Sequence, residues 1–238
     1  MGLLLLVRHG QASFLDGDYD RLSPLGERQA ERLGAHWAER GVRLSSVAYG
    51  PRRRHRQTAE AIGRAMRDAG GAWPEPVLLP ELDEYRADAL LNAELGWVAE
   101  RADLLPLLNA FQAAPDRPRR ARAFEHLFQA VMRLWVHGEI PASRIEPWVD
   151  FKARVAAALS TLTASGAPGR TIAAVSSAGT IGAMIAAVVG AGASAALELG
   201  CMINNASVSE ILFGNERVSL SRFNSAGHLD DPELSTYR

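Results

Sequence analysis

Four short stretches carry side chains able to act on a highly charged oxyanion. They are Arg8-His9-Gly10, the basic run Arg52-Arg53-Arg54-His55-Arg56, the acids Glu81, Asp83 and Glu84, and Ser177-Ala178-Gly179. A guanidinium is a planar fork that pairs with two phosphate oxygens at once, so Arg8 and Arg54 brought together would seat a phosphoryl group. The same cations disfavour an imidazolium beside them, which lowers the pKa of His9 and leaves a neutral ring whose lone pair can attack phosphorus. Breaking a phosphomonoester also needs a proton for the leaving oxygen, and clearing a phosphohistidine needs a base to activate water; one carboxyl serves both steps. Ser177 offers a neutral hydroxyl donor, and the backbone N–H groups that follow it bind an anion if a helix begins there.

These residues fall at the ends of expected strands. Leu3-Leu4-Leu5-Leu6-Val7 is an apolar run of strand length without polar alternation, the pattern of a strand buried on both faces, and it stops at Arg8-His9. In open α/β sheets ligands bind outside the carboxyl ends of parallel strands, so His9 is expected in a crevice, with Gly10 letting the backbone turn and approach a ligand. Residues 11–21 read as a loop. Ser23 and Pro24 then start a helix whose stripe of Leu25, Ala30, Leu33 and Trp37 ends before Gly41. Residues 45–49 form a second strand, followed by a helix with Ala59, Ile62 and Met66 inward, and residues 77–79 a third strand just before the acids.

From residue 87 to about 138 the pattern is helical, interrupted at Pro115-Asp116-Arg117-Pro118, with Phe124, Leu127, Phe128, Val131 and Trp135 as a core-forming stripe. The basic cluster from Arg117 to Arg122 is read as a solvated linker. Trp148, Phe151, Val155, Leu159 and Leu162 mark a further helix that ends around residues 166–169. Residues 171–176 form a buried strand and 180–189 an apolar helix. Residues 207–213 and 217–223 alternate around Gly214-Asn215, the signature of an antiparallel hairpin at the sheet edge. Residues 225–238 read as a polar tail.

Leu6-Val7-Arg8-His9-Gly10, then Leu22-Ser23-Pro24-Leu25-Gly26-Glu27-Arg28-Gln29-Ala30, then Arg54-His55-Arg56-Gln57-Thr58-Ala59, resemble in order the motifs of the histidine phosphatase superfamily, the phosphoglycerate-mutase-like enzymes. Val175-Ser176-Ser177-Ala178-Gly179 and Asn205-Ala206-Ser207-Val208 extend the resemblance over most of the chain. It implies that His9 becomes a phosphohistidine and that Arg8 and Arg54 hold the phosphoryl oxygens. It implies that Glu84, in Leu82-Asp83-Glu84, is the acid/base, with Glu81 and Asp83 as fallbacks, and that Ser177, Ala178 and Gly179 complete the phosphate site. Arg54 is singled out because it stands three before Gln57 in Arg-x-x-Gln-Thr-Ala; Arg52, Arg53 and Arg56 are left as a solvated basic face.

Two departures stand out. Tyr49-Gly50 replaces the serines common there. More seriously, Ser177 stands where the family has Val-Ser-His-Gly-Gly, whose second histidine donates to the phosphoryl oxygens in the transition state. Losing one preorganised donor costs about 3–4 kcal/mol, or roughly 10²–10³ in rate, in comparable sites. His55 and His228 are the alternatives for lining the pocket in its place.

The expected architecture is α/β: a three-layer α/β/α sandwich with a mostly parallel central sheet and an antiparallel edge strand. A single domain over residues 1–238 is expected, with a helical cap insertion at about 87–147 supplying specificity. The expected function is a metal-independent phosphomonoesterase, without cofactor, acting on a small phosphorylated molecule. The alternatives are a phospho-ligand-binding or partner-binding relative weakened at Ser177, and a phosphoglycerate mutase. The mutase ranks last because Tyr85-Arg86-Ala87-Asp88 and a leucine-rich helix follow Glu84, where the family's mutases carry a fuller basic set.

Composition excludes other classes. With 238 residues, 47% apolar and 22% charged, the chain is an ordinary soluble one, and a net charge of −1 supplies no field for nucleic acid or membrane. The six histidines lack the spacing of a metal-ligand set. A single cysteine, Cys201, excludes an internal disulfide and fits a reducing cytoplasm, the expected location. Homodimerisation through the edge hairpin is left open.

Overall fold

The computed structural model describes residues 1–13, 20–86, 95–143, 145–164, 169–214 and 217–237. Part of the expected loop at 11–21, the first residues of the helical stretch from 87, the end of the helix near 166–168 and the hairpin turn at Asn215 lie outside them. The chain divides into two compact units, Met1–Glu84 with Arg154–Arg238, and Tyr85–Ala153.

The first unit is built on a six-stranded sheet of β1 (Gly2–Arg8), β2 (Ser46–Tyr49), β3 (Pro76–Leu78), β4 (Thr171–Ser176), β5 (Val208–Phe213) and β6 (Val218–Ser225), in the order β3-β2-β4-β1-β5-β6. Strands β3, β2, β4 and β1 are parallel neighbours; β5 runs antiparallel to β1, and β6 antiparallel to β5. The leucine run therefore lies in the middle of the sheet, and Leu4, Leu6 and Val7 are fully buried. Its period of two divides the core. Leu5 and Val7, with Ala173 and Val175 of β4, pack against α1 (Pro24–Glu39) and α2 (Arg53–Asp68) through Ala30, Leu33, Trp37, Ala59, Ile62 and Met66. Leu4, Leu6, Ile172 and Ala174 point to the opposite face, where α7 (Ala178–Val189) meets β1. The mostly parallel α/β sheet expected from the sequence is thus the one observed.

Helix starts are set by specific acceptors. Ser23 Oγ accepts from the Gly26 N–H at 3.0 Å with Pro24 in the first turn, as the sequence implies. Helix α2 takes its cap from elsewhere in the chain: Asp20 Oδ2 accepts from the Arg53 N–H at 2.9 Å. The Arg8-His9-Gly10 turn packs on the start of α1. A Cβ on Gly10 would fall 2.2 Å from the Gly26 carbonyl oxygen, so this glycine allows the turn to touch another backbone, not only a ligand.

Two readings of the C-terminal part are corrected. Helix α8 (Ala193–Met202) lies between α7 and β5, where no element was read, because its alanine-rich segment lacks a polar–apolar period. Residues 225–237 are docked rather than a free tail. Leu229 and Leu234 are buried, and Gln29 Nε2 donates to the Leu234 carbonyl and to Thr236 Oγ1, each at 2.8 Å.

In the second unit, α3 (Leu95–Glu100), α4 (Leu105–Gln112) and α5 (Arg117–Val136) precede α6 (Trp148–Thr163), which runs past this unit's last residue. The aromatic stripe is core, as its spacing implies. Trp135 is buried, with ring centroids 4.9 Å from Tyr85, 5.1 Å from Trp148 and 5.3 Å from Phe151, and its indole N–H donates to the Glu146 carbonyl. The Arg117–Arg122 cluster is the exposed start of α5, capped by Asp116 Oδ1 on the Arg119 N–H, rather than a linker. No helix among the described residues is long and apolar enough to cross a membrane.

A methyl group at Gly10 must displace backbone, because its nearest neighbour is a carbonyl. Gly10→Ala is expected to cost about 1–3 kcal/mol, as overpacked sites do, and to lower the melting temperature of the first unit by roughly 5 °C. An unchanged melting curve would contradict the close packing.

Candidate active site

The β1–β4 register pairs Arg8 with Ser176, so the residues just past these strands, His9 and Ser177, leave the sheet side by side. The His9 N–H donates to the Ser176 carbonyl at 2.9 Å, and the Gly50 N–H, past β2, to the Val175 carbonyl at 3.0 Å. Three strand ends therefore open on one place, and α2 brings a fourth component to it.

His9 is buried, 4% exposed. Its Nδ1 lies 2.7 Å from the Gly10 carbonyl oxygen, which can only accept, so Nδ1 carries the proton and Nε2 the lone pair. Arg54 Nε donates to that Nε2 at 3.2 Å. Burial, then Arg54, Arg8 and His55, hold the His9 pKa well below the usual 6.5, so the ring is neutral. The His9 carbonyl is held from behind by Asn205 Nδ2 at 3.2 Å and the Ala206 N–H at 3.3 Å. Asn205 is in turn fixed by Thr236 through two bonds, 2.8 Å from its N–H to the Thr236 carbonyl and 3.0 Å from Thr236 Oγ1 to its Oδ1.

Arg54 fans across the site: Nε to His9, Nη1 to Asp20 Oδ1 at 2.9 Å and Nη2 to Ser177 Oγ at 3.3 Å. Arg8 is close enough to His9 to depress its pKa, and its Nη1 donates to the carbonyls of Ile203, just past α8, and of Tyr237 in the docked C-terminal segment. Ser177 is the residue before α7, and Ala178 and Gly179 are its first two residues. The Gly179 N–H donates to Glu84 Oε2 at 2.9 Å, so a carboxylate already meets the positive end of that helix.

The geometry separates the three candidate acids. Asp83 Oδ1 is taken by Arg52 Nε at 2.6 Å and by the Glu84 N–H at 2.8 Å. Arg154 holds the carbonyls of Glu81 and Asp83, Ser176 Oγ that of Leu82 and Thr180 Oγ1 that of Asp83. This brace leaves Glu84 as the acid whose carboxylate reaches α7. Arg52 is accordingly a brace rather than part of a solvated face, whereas Arg56 does lie outside in an exposed pair with Glu60.

The two alternative histidines diverge. His55 is fully buried, its Nε2 lies 2.6 Å from Ser177 Oγ, and its ring centroid is 5.7 Å from that of His9. Burial, then Arg54 and Arg52, hold it neutral. His228 faces His36 instead, ring centroids 5.9 Å apart, its pKa lowered to about 4 chiefly by burial. Asp20, Asn205 and Arg52 were not read as site residues, because their contacts span 31 to 196 positions of sequence and no motif spacing records them. Among the described residues no three His, Cys, Asp or Glu side chains gather as a metal-ligand set.

The chain and its fold are similar to known proteins. The model of the histidine phosphatase superfamily, branch 1, matches residues 4–135 and 116–226. Among solved structures the chain is similar to Bacillus stearothermophilus YhfR (20% identity, 96% of this chain and 99% of that one, TM-score 0.66). It is also similar to the mycobacterial glucosyl-3-phosphoglycerate phosphatase Rv2419c in complex with inorganic phosphate (22%, 95% and 99%, 0.63) and to the alpha-ribazole phosphatase from Shigella flexneri (20%, 94% and 96%, 0.60). No protein of curated function matches it in sequence. With the family model covering nearly the whole chain and the fold shared end to end, the chain belongs to the histidine phosphatase superfamily, branch 1.

Proposed function

We propose that the chain is a metal-independent phosphomonoesterase that works through a phosphohistidine at His9. The observation that carries this reading is the tautomer of His9: a ring with Nδ1–H tied to the Gly10 carbonyl and an Nε2 lone pair beside the Arg54 guanidinium. The phosphoryl oxygens are held by Arg54 and Arg8, by the Ser177 hydroxyl and by the Ala178 N–H, and by the Gly179 N–H once it exchanges the Glu84 carboxylate for phosphate. Nε2 attacks phosphorus as the ester P–O bond breaks, and Glu84 gives its proton to the departing alkoxide. The Glu84 carboxylate then takes a proton from water, whose oxygen attacks the phosphohistidine. Inorganic phosphate leaves and His9 returns to its neutral form.

Hydrolysis is favoured over the mutase reading by Tyr85-Arg86-Ala87-Asp88 after Glu84, where the mutases carry a fuller basic set; the similar structures include phosphatases of glucosyl-3-phosphoglycerate and of alpha-ribazole and a Bacillus anthracis phosphoglycerate mutase alike. We assign the choice of substrate, a small phosphorylated molecule, to the helical unit Tyr85–Ala153, in line with the expected cap insertion. The second reading, a phospho-ligand-binding relative without efficient turnover, is favoured by one feature, the serine at 177.

Hydrolysis of p-nitrophenyl phosphate is expected to be unchanged by EDTA and to fall below a few per cent in His9→Ala. Loss of activity to EDTA, or a robust His9→Ala enzyme, would contradict the proposal. Phosphate binding without turnover would support the second reading. Because His9 has a lowered pKa in the free protein, its reactive neutral form persists below pH 6.5, and the acid limb that His9 sets in kcat/KM is expected well below that value; a His9 limb at 6.5 or above would contradict a neutral nucleophile. For Glu84→Gln, an alkyl phosphate should lose about 10²-fold or more in rate while p-nitrophenyl phosphate loses far less, since a good leaving group needs little acid help. Equal losses would remove Glu84 from that role.

A further inference from the structure

Ser177 occupies the N-cap of α7 but does not cap it: its side chain makes no bond to the helix's own N–H groups, as a serine at this position ordinarily does. The hydroxyl points instead to Arg54 and His55. Arg54 Nη2 can only donate, so one lone pair of Oγ is filled. Nδ1 of His55 makes no hydrogen bond of full geometry among the described residues, only a looser approach to the Gly50 backbone, whereas Nε2 stands 2.6 Å from Oγ. The single proton of the neutral ring is therefore best placed on Nε2, filling the second lone pair. With both lone pairs engaged, the Ser177 O–H has to be donated elsewhere. The groups around it, Arg54, the start of α7 and His9 Nε2, define where an anion would sit.

A third position fits this arrangement. A Cβ on Gly50 would fall 2.5 Å from His55 Nδ1, so glycine there makes room for the imidazole. The departures at Gly50 and Ser177 thus meet at one buried ring.

We propose that His55 and Ser177 act as one donor unit, in which the His55 N–H orients the serine hydroxyl to donate to the phosphoryl group during transfer, replacing the histidine expected at position 177. This rests on the phosphatase reading above. Ser177 touches the substrate; His55 is a positioning residue acting through it. No covalent bond changes at either residue, and the nucleophile remains His9. Burial and the two neighbouring arginines keep His55 uncharged, so the unit adds a directed dipole rather than a second cation.

The test uses the full chain, assayed with p-nitrophenyl phosphate and, independently of turnover, by calorimetric binding of orthovanadate and inorganic phosphate. Ser177→Ala and His55→Ala are each expected to lower kcat by about 10²-fold with little change in KM, and together to lower it no further, because they remove the same unit. His55→Gln, which keeps an N–H donor, should retain most of the rate. His55→Ala combined with Ser177→His should recover about tenfold or more over His55→Ala alone, an outcome that a merely structural histidine would not produce. Vanadate affinity should follow the same order while phosphate affinity moves far less. Unchanged rate and vanadate affinity in His55→Ala, or losses that multiply in the double variant, would overturn the pairing. If the wild type hydrolyses no phosphomonoester, the phosphatase reading fails by itself. The pairing is then judged on vanadate: weaker binding in both single variants with recovery in the swapped one supports it, and unaltered binding overturns it.

Discussion

The hydrogen bond from His9 Nδ1–H to the Gly10 carbonyl is the interaction on which the site depends. A histidine buried against two arginines is already forced to be neutral, but neutrality alone leaves the proton free to sit on either nitrogen. The carbonyl decides which. It places the lone pair on Nε2, towards Arg54, so that the proposed nucleophile and the proposed oxyanion holder face the same point. Much of the surrounding structure keeps that carbonyl and that ring in place. Gly10 closes against Gly26, Asn205 and Ala206 hold the His9 carbonyl, and the docked residues around Thr236 hold Asn205.

Around this proposed nucleophile the components come from separate places in the chain and are held by different means. The parallel β1–β4 register sets His9 beside Ser177 by backbone alone. Arg54 is carried by the first turn of α2, whose own start is capped by Asp20, the same carboxylate that pairs with the Arg54 guanidinium. Glu84 stands outside any helix or strand and is fixed by Arg52, Arg154, Ser176 and Thr180 through the backbone and side chains of residues 81–84. For the proposed acid/base role, bracing residues 81–84 fixes the position of a carboxylate whose Oε2 accepts from the Gly179 N–H.

Arg8, His9, Arg54 and Glu84 were legible in the sequence because local patterns report them: an unbroken apolar strand ending in Arg-His-Gly, a spaced Arg-x-x-Gln-Thr-Ala, an acid after a third strand. The sheet was legible for the same reason, since buried parallel strands and amphipathic helices announce themselves by periodicity. Contacts over long sequence separations were not. The segment 225–237 looks polar and unstructured, yet it is held by Gln29 and Asn205, residues whose partners no local window contains. Helix α8 mixes small and apolar residues with a single charge, Glu198, and so shows no clear polar–apolar face. His55 reads as a variable position in its motif, and its relation to Ser177, 122 residues away, becomes visible only when α2 is placed beside the end of β4.

The most direct measurement is the regiochemistry of the phosphorylated enzyme, trapped without acid and examined by ³¹P–¹H NMR correlation and peptide mass mapping. Phosphorus bonded to Nε2 of His9 is the expected result, because Nδ1 is committed to the Gly10 carbonyl. Phosphorus on Nδ1 of His9, on Ser177, or on any other residue would contradict the assignment of His9 Nε2 as the nucleophile.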